Sequence, residues 1–135
     1  FTNPDRKARF EFVMPALAAS RETRDAFFAS LADVKNRRRE PWVVEGLSYL
    51  NHPLRATESM QYVRPALERL QEIQQTGDIF FPKRWMDVTL GGYSDRAVAS
   101  TVQRFLDGLQ PGYPNRLRAI ILQSADELFR ASSIQ

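Results

Sequence analysis

Arginine supplies most of the positive charge of this chain and is the residue type best suited to recognition chemistry. Sixteen of the nineteen basic residues are arginine and three are lysine; sixteen residues are acidic, so the formal net charge is +3. A guanidinium group donates two parallel hydrogen bonds to a carboxylate or a phosphate. The arginine excess indicates either a coding bias or recognition of such an anion. Acidic residues are interspersed among the basic ones, which disfavours a nucleic-acid partner, because phosphate binding needs uncompensated positive charge.

The first basic cluster is the run Arg37-Arg38-Arg39, which Trp42 follows closely. The run lies near a predicted helix start, where the positive end of the helix dipole disfavours cations. Its charges are therefore expected to serve a partner, a neighbouring carboxylate or solvent rather than the helix. We predict that Arg37, Arg38 and Trp42 belong to an interface.

The second basic cluster, Lys83-Arg84, lies between the aromatic pair Phe80-Phe81 and Trp85. Mixed aromatic and basic residues at a helix start suit either the lining of a pocket or an interface, to which we assign Trp85. The alternative is that surface charges flank aromatic residues of the core.

The remaining residue types exclude most catalytic and metal sites. Cysteine is absent and His52 is the single histidine, so thiolate zinc sites, cysteine nucleophiles and sites with two imidazoles are excluded. His52 also lies between Asn51 and Pro53 at a predicted helix end, where capping or surface packing is the expected role. No glycine-rich phosphate loop occurs. No apolar run approaches the roughly 18 residues of a membrane helix, so we expect a soluble chain, cytoplasmic or periplasmic, without a membrane partner.

The elements that must position these residues are predicted to be helices. Apolar residues recur at helical spacing, and no alternating strand pattern bounded by turn residues is found. We therefore predict an all-α fold of about seven helices in antiparallel pairs. Their predicted starts are Asn3-Pro4, Ser20, Asn36, Ala56, Pro82, Ser94-Asp95 and Pro114. Pro15 is expected to kink or end the first helix.

The longest predicted helix runs from about Ala56 to Thr76, and Pro65 lies inside it. Pro65 is either a tolerated kink or the mark of two shorter helices. Gly77 is predicted to end this span as a left-handed C-cap.

A weak repeat favours a stack of helical hairpins over a closed bundle. Pro41-Trp42 recurs as Pro82 and Trp85, with the tryptophans 43 positions apart. HEAT-type helical pairs repeat every 40–47 residues or so. We predict one helical domain over residues 1–135, a right-handed HEAT- or armadillo-like stack with a concave face.

Several segments carry a resemblance to a known family. They are Arg9–Val13, Pro15–Leu17, Glu40–Val43, His52–Arg55, Gly77–Trp85 and Leu90–Gly92. Together the segments resemble the C-terminal helical domain of bacterial zinc aminopeptidases of the aminopeptidase N type (peptidase family M1). The resemblance extends from about Arg6 to Arg130, and Gly77–Trp85 is its most specific part.

The resemblance implies a non-catalytic fragment of a larger metallopeptidase. The chain also opens on Phe1 without an initiator methionine or a signal-peptide pattern, so we expect it to be a piece of a longer protein. In the family, the preceding catalytic domain binds zinc through H-E-x-x-H and a downstream glutamate. Neither motif lies in this chain, so no catalytic or metal residue is transferred to it. The helical domain closes the substrate chamber, and its partners are the catalytic domain and the peptide substrate. By the same resemblance, Lys83, Arg84 and Arg55 are candidates to contact the peptide beyond the scissile end.

A second function class stays open at this point. A free-standing HEAT-like module would bind a protein partner through its concave face. The fragment hypothesis makes a physical prediction, since the surface that meets a catalytic domain would be exposed. We expect there a contiguous apolar patch larger than the few hundred square ångströms or so that are usual for a monomer.

Overall fold

The computed structural model describes residues 4–134, with side chains for residues 4–133, so the predicted cap at Asn3 lies outside the described residues. Within that range no strand occurs, which confirms the predicted all-α class. Seven helices have ten or more residues and an eighth is a single turn. They are α1 (Pro4–Leu17), α2 (Arg21–Ser30), α3 (Glu40–Leu50), α4 (Ala56–Ser59), α5 (Val63–Thr76), α6 (Phe81–Leu90), α7 (Arg96–Asp107) and α8 (Asn115–Ile134). Short 3-10 helices cover Val34–Arg37, Pro53–Arg55 and Met60–Tyr62.

Most helix starts and stops follow the local signals in the sequence. Ser20 caps α2, since its hydroxyl accepts a hydrogen bond from the Thr23 backbone N–H at 3.4 Å. Pro82 lies in the first turn of α6, where its missing N–H removes no bond within the helix. Pro15 lies in the last turn of α1, two residues before the helix ends. Asp95 directly precedes α7.

The predicted cap of the third helix at Asn36 is wrong. Asn36 lies inside the 3-10 helix Val34–Arg37, and its side-chain amide donates to the Ser30 carbonyl at 2.8 Å. The Asp33 carboxylate accepts from the Lys35 N–H at 2.9 Å and starts this short helix. The local side-chain bonds therefore separate α2 from α3, which begins only at Glu40.

The predicted single helix from Ala56 to Thr76 is also wrong, and its alternative of shorter helices is confirmed. The 3-10 helix Met60–Tyr62 separates α4 from α5. Pro65 is the third residue of α5, where the helix has no acceptor for an N–H. Gly77 does end α5, but in an extended conformation (φ −113°, ψ −178°) rather than the predicted left-handed one.

The chain divides into two compact units, the first ending at Leu50 and the second beginning at Asn51. In the first unit, α1 packs against α2 and α3. Phe27 of α2 is buried and lies edge-on to Phe12 at 5.7 Å between ring centroids. Gly46 of α3 admits this ring closely, because an added Cβ would lie 2.4 Å from Phe27.

In the second unit, α5 packs against α6 and α7 packs against α8, while α5 also contacts α7 and α6 contacts α8. The start of α7 meets the end of α8, since Arg96 donates to the Ser132 carbonyl at 3.2 Å; this pair is therefore antiparallel. The start of α8 lies beside the segment before α6, because Arg116 donates to the Ile79 carbonyl at 2.9 Å. The two helices α6 and α8 therefore run in the same direction.

The core of the second unit consists of the apolar faces of these four helices. Its fully buried large side chains include Leu67, Leu70, Ile73, Phe81, Trp85, Met86, Leu90, Leu117 and Ile121. The turn that opens the unit is anchored to the end of α6. There the Tyr93 hydroxyl donates to the Asn51 side-chain oxygen at 2.7 Å. Gly92 lets the two segments approach, since an added Cβ would lie 2.1 Å from the Asn51 carbonyl oxygen.

Candidate functional site

Lys83 and Arg84 lie in the first turn of α6, but their charges are used differently. The Lys83 ammonium is 2.5 Å from the Asp87 carboxylate, one turn further along the helix. The same carboxylate oxygen accepts from the Ser124 hydroxyl of α8 at 2.8 Å. Lys83 is therefore neutralised by an ion pair at the surface, of the kind worth about 0–1 kcal/mol.

Arg84 is exposed and forms no ion pair with any residue of the described chain. Its backbone N–H donates to the Phe80 carbonyl at 3.3 Å, so the two residues are one helical turn apart. Side chains at this spacing lie on the same face of a helix. The exposed side chain of Arg84 therefore lies on the same face of the helix as Phe80.

Ile79 and Phe80 are exposed by 59% and 62%, respectively. Together with Arg84 and Arg116, whose guanidinium bonds the Ile79 carbonyl, they form a surface at the turn between α5 and α6. We refer to Ile79, Phe80, Arg84 and Arg116 as the basic–apolar tip. The tip combines two exposed apolar side chains with two guanidinium groups, which is the composition of a surface that contacts an anionic, partly apolar ligand.

The phase of α6 explains why Phe80 is exposed although Phe81 is not. Phe81 and Trp85 are four residues apart and fully buried, with their rings edge-on at 6.0 Å. Phe80 precedes this buried face by about 100° of helical rotation. The Asp78 carboxylate accepts from the Phe80 N–H at 2.9 Å and holds the turn.

Arg55, the third residue predicted to bind substrate, lies on a different element from Lys83 and Arg84. It ends the 3-10 helix Pro53–Arg55 and is partly exposed. His52 starts this helix, since its Nδ1 accepts from the Leu54 N–H at 3.1 Å, which confirms the expected capping role. Leu54 is 90% exposed. The structure thus brings together Lys83 and Arg84, and leaves Arg55 in a separate position beside an exposed leucine.

Two of the four residues predicted at an interface are buried and serve packing. Trp85 is 1% exposed, and its indole N–H donates to the Ala66 carbonyl at 3.0 Å. Arg37 is 3% exposed and donates to the Leu31 carbonyl at 2.6 Å. Neither side chain offers surface to a partner.

The other two predicted interface residues remain accessible. Arg38 is exposed, and Trp42 is half-buried. The Arg39 guanidinium lies 4.8 Å from the centroid of the Trp42 ring, which is cation–π geometry. The accessible part of the predicted interface is therefore Arg38 with the outer face of Trp42.

A second surface with exposed apolar side chains lies on α1 in the first unit. Phe10, Met14 and Leu17 are 45%, 39% and 43% exposed and follow one another at helical spacing. We call these three residues the α1 stripe. They line a groove of about 380 Å³ whose other wall includes Glu45 and Tyr49 of α3.

The carboxylate that lines this groove, Glu45, is engaged by two neighbouring side chains. The Glu45 carboxylate lies 2.6 Å from the Arg9 guanidinium and accepts from the Tyr49 hydroxyl at 2.8 Å. This hydrogen bond raises the pKa of the Tyr49 phenol above its usual value. The groove therefore offers an apolar floor, with the charge of Glu45 engaged by neighbours.

Neither a metal centre nor a membrane span is found between residues 4 and 134. No three His, Asp or Glu side chains there are grouped so that they could hold a metal ion. None of the helices combines the length and hydrophobicity that crossing a bilayer requires. The chain matches no protein-family model, no curated protein and no solved structure.

Proposed function

We propose that this chain is the non-catalytic C-terminal helical domain of a zinc-dependent aminopeptidase, which removes N-terminal residues from peptides. The domain would close the substrate chamber and contact the peptide beyond the scissile end. The observation that carries the proposal is the position of the basic–apolar tip. Three of its four residues lie within Gly77–Trp85, the segment that most specifically resembles the aminopeptidase N family.

Arg84 has the leading role in this proposal. Its guanidinium group is exposed and unpaired within the described structure, so it is available to a peptide carboxylate. Lys83 would have to exchange Asp87 for the peptide carboxylate, since its ammonium is already paired with Asp87. Arg55 would contact a different part of the peptide, because it belongs to the 3-10 helix before α4.

The helix pairing of the second unit is compatible with a HEAT- or armadillo-like stack. In such a stack each hairpin contacts the next, and equivalent helices of successive hairpins lie side by side. Here α5 contacts α7 and α6 contacts α8, the pairing expected of the successive hairpins α5–α6 and α7–α8. This supports a surface-forming scaffold, which is the role that the proposal requires.

The α1 stripe supports attachment to another folded domain. Three large apolar side chains side by side on one helix are unfavourable in water and favour coverage by a partner. In this proposal the covering surface belongs to the catalytic domain of the parent chain. That domain would also hold the zinc ion, and the present chain would contribute no metal ligand.

The same stripe supports a second candidate, a free-standing helical module that binds a separate protein. Its apolar groove suits an amphipathic helix of such a partner. The two candidates differ in the polypeptide that precedes the domain, since an H-E-x-x-H sequence there belongs to the peptidase hypothesis alone.

The test is made on the full-length parent protein. We expect zinc at one ion per chain and release of amino acids from aminoacyl chromogenic substrates. Arg84→Ala should then reduce kcat/KM for peptides of six or more residues about tenfold, equivalent to about 1.4 kcal/mol, while single-residue substrates keep their kcat/KM.

Arg104→Ala is the matched control, because Arg104 is an exposed arginine on α7 that does not belong to the tip. It should change neither class of substrate. A parent protein without zinc and without aminopeptidase activity would contradict the proposal. Equal losses on long and short substrates would remove the assigned role of Arg84.

A further inference from the structure

We propose that the basic–apolar tip selects peptides in which a carboxylate lies next to an aromatic or branched aliphatic side chain. This selectivity rests on the proposed function in one respect, namely that the domain contacts peptides. It goes further by assigning the recognised chemistry to Ile79, Phe80, Arg84 and Arg116 acting together.

The apolar half of the tip is exposed for structural reasons and is held in place. Phe81 and Trp85 occupy the buried face of α6, so the preceding Phe80 points away from the core. Asp78 fixes the turn through the Phe80 N–H at 2.9 Å. Two large apolar side chains, more than half exposed, thus stand on an ordered turn and can be covered without folding a new segment.

The charged half of the tip has an excess of positive charge. Asp87 is paired with Lys83, and Asp78 keeps its negative charge while it accepts from the Phe80 N–H. The three cations Lys83, Arg84 and Arg116 therefore exceed the two nearby carboxylates by one charge. The guanidinium groups of Arg84 and Arg116 have no carboxylate partner among residues 4–133. Anions are therefore attracted to the tip.

Arg116 is a preorganised donor in this arrangement. Its Nη2 donates to the Ile79 carbonyl at 2.9 Å, which fixes the guanidinium plane beside the apolar pair. Its other N–H groups remain for a ligand, because arginine carries five donors. Arg84 lies one turn from Phe80 and carries the second guanidinium on the same face of the helix.

A ligand that satisfies both halves needs a carboxylate and an apolar side chain within one or two residues of each other. The carboxylate has two possible sources, an acidic side chain or the C-terminus of the peptide. A peptide that carries only one of the two groups contacts either the two arginines or the apolar pair, but not both, and binds more weakly.

The test is isothermal titration calorimetry of the 135-residue chain with hexapeptides of alanine and glycine. One peptide ends in phenylalanine with a free carboxylate, a second is its C-terminal amide, and a third is the amide with glutamate before the phenylalanine. The fourth peptide replaces the glutamate of the third by glutamine. The fifth peptide replaces the phenylalanine of the first by alanine and keeps the free carboxylate. We expect the first peptide, the third, or both to bind about tenfold more tightly than the second, fourth and fifth, equivalent to about 1.4 kcal/mol.

Comparison of the first and third peptides identifies the source of the carboxylate. Phe80→Ser, Arg84→Gln and Arg116→Gln should each weaken the tight complex about five- to tenfold, with unchanged circular dichroism, because these side chains lie at the surface. Arg104→Gln should leave binding unchanged. Equal affinity for all five peptides, or tip variants that behave like Arg104→Gln, would overturn the proposal. Tighter association with phosphatidylserine vesicles or an oligonucleotide than with any peptide would also overturn it.

These outcomes are separate from those of the proposed function. A parent protein without zinc or peptidase activity leaves the measured selectivity of the tip intact. Conversely, an active parent whose long-peptide kinetics depend on Arg84, with no preference for an acidic and apolar pair, contradicts the selectivity alone.

Discussion

At the scale of single residues, two tyrosines of the second unit have buried hydroxyls with different surroundings. The Tyr93 hydroxyl donates to Asn51 at 2.7 Å, whereas no partner for the Tyr113 hydroxyl is found among the described residues. Burial raises the pKa of both phenols. A buried hydroxyl stabilises the fold only when it is hydrogen-bonded. The Tyr93 hydroxyl should therefore raise the free energy of unfolding, and the Tyr113 hydroxyl should lower it or leave it unchanged.

Replacement of each tyrosine by phenylalanine measures this difference. Tyr93→Phe should lower the free energy of unfolding by about 1–3 kcal/mol, because it removes a buried hydrogen bond. Tyr113→Phe should leave that free energy unchanged or raise it. Urea unfolding followed by circular dichroism provides the measurement, and equal losses in the two variants would contradict the assigned environments.

Tyr93 also predicts a loss of stability at alkaline pH. Its pKa is raised in the folded state, chiefly by burial and then by the nearby Asp95 charge. The unfolded chain therefore releases this proton first, near pH 10, and unfolding is increasingly favoured above that pH. We expect the full contribution of Tyr93 below pH 10 and a falling melting temperature above it. The fall should be smaller in Tyr93→Phe; an identical decline in both proteins would refute the linkage.

Arginine shows how far single-residue reasoning from the sequence reaches. The sequence left two explanations for the arginine excess, coding bias and anion recognition. The structure adds a third, hydrogen bonding to backbone carbonyls. Arg24 donates to the Ala18 and Ala19 carbonyls just past α1 at 2.8 and 2.9 Å, and Arg37 and Arg96 likewise bond backbone carbonyls. These bonds join residues that are distant or irregular in the chain, so spacing alone could not predict them. The exposure of Arg84 could not be predicted from spacing either, since it depends on which face of α6 is buried.

At the scale of elements, the helices and most of their ends were predictable, whereas the segments that join α2 to α3 and α4 to α5 were not. Apolar spacing identified the inward face of α8, where Leu117, Ile121 and Leu128 are buried as predicted. The errors at Asn36 and Gly77 concern caps, where several polar or flexible residues compete and tertiary packing decides between them. The prolines of the proposed repeat do occupy the second position of α3 and of α6, but Trp42 is the third residue of its helix and Trp85 the fifth. One helical turn holds 3.6 residues, so the two tryptophans face different surroundings.

The junction between α6 and the Asn51 turn gives a prediction at this scale. Gly92→Ala should lower the free energy of unfolding by about 1–3 kcal/mol, because the new Cβ would lie 2.1 Å from the Asn51 carbonyl oxygen. Gly112→Ala is the matched control, since no atom lies within 4 Å of an added Cβ there. That control should be neutral or stabilise by about 0.4–1 kcal/mol through the unfolded chain. Chemical unfolding of both variants measures these free energies. If Gly92→Ala unfolds with the same free energy as the unmodified chain, Gly92 does not lie close to the Asn51 carbonyl.

At the scale of the whole molecule, the division after Leu50 predicts that the second unit folds by itself. Its principal contacts, among α5, α6, α7 and α8, lie within residues 51–135, and Asn51 supplies the partner of Tyr93. We expect the fragment 51–135 to be helical and to melt cooperatively by circular dichroism. The fragment 56–135 lacks Asn51 and should melt at a lower temperature. A fragment 51–135 without a cooperative transition would contradict the division.

The position of exposed apolar residues also depends on how each unit packs as a whole. The exposed pair Ile79-Phe80 and the α1 stripe are as apolar as the core positions beside them, so composition does not separate them from the core. Only the packing of each unit decides which apolar faces are covered. The sequence therefore could not predict which apolar residues would be exposed.

Because the first unit contains Trp42 and the second contains Trp85, the intrinsic tryptophan fluorescence of each unit can be followed separately. The indole of Trp85 is sealed inside and should emit at short wavelengths, whereas the half-covered Trp42 should emit further to the red. Spectra recorded during denaturation would therefore show which half of the polypeptide opens first, without any added dye.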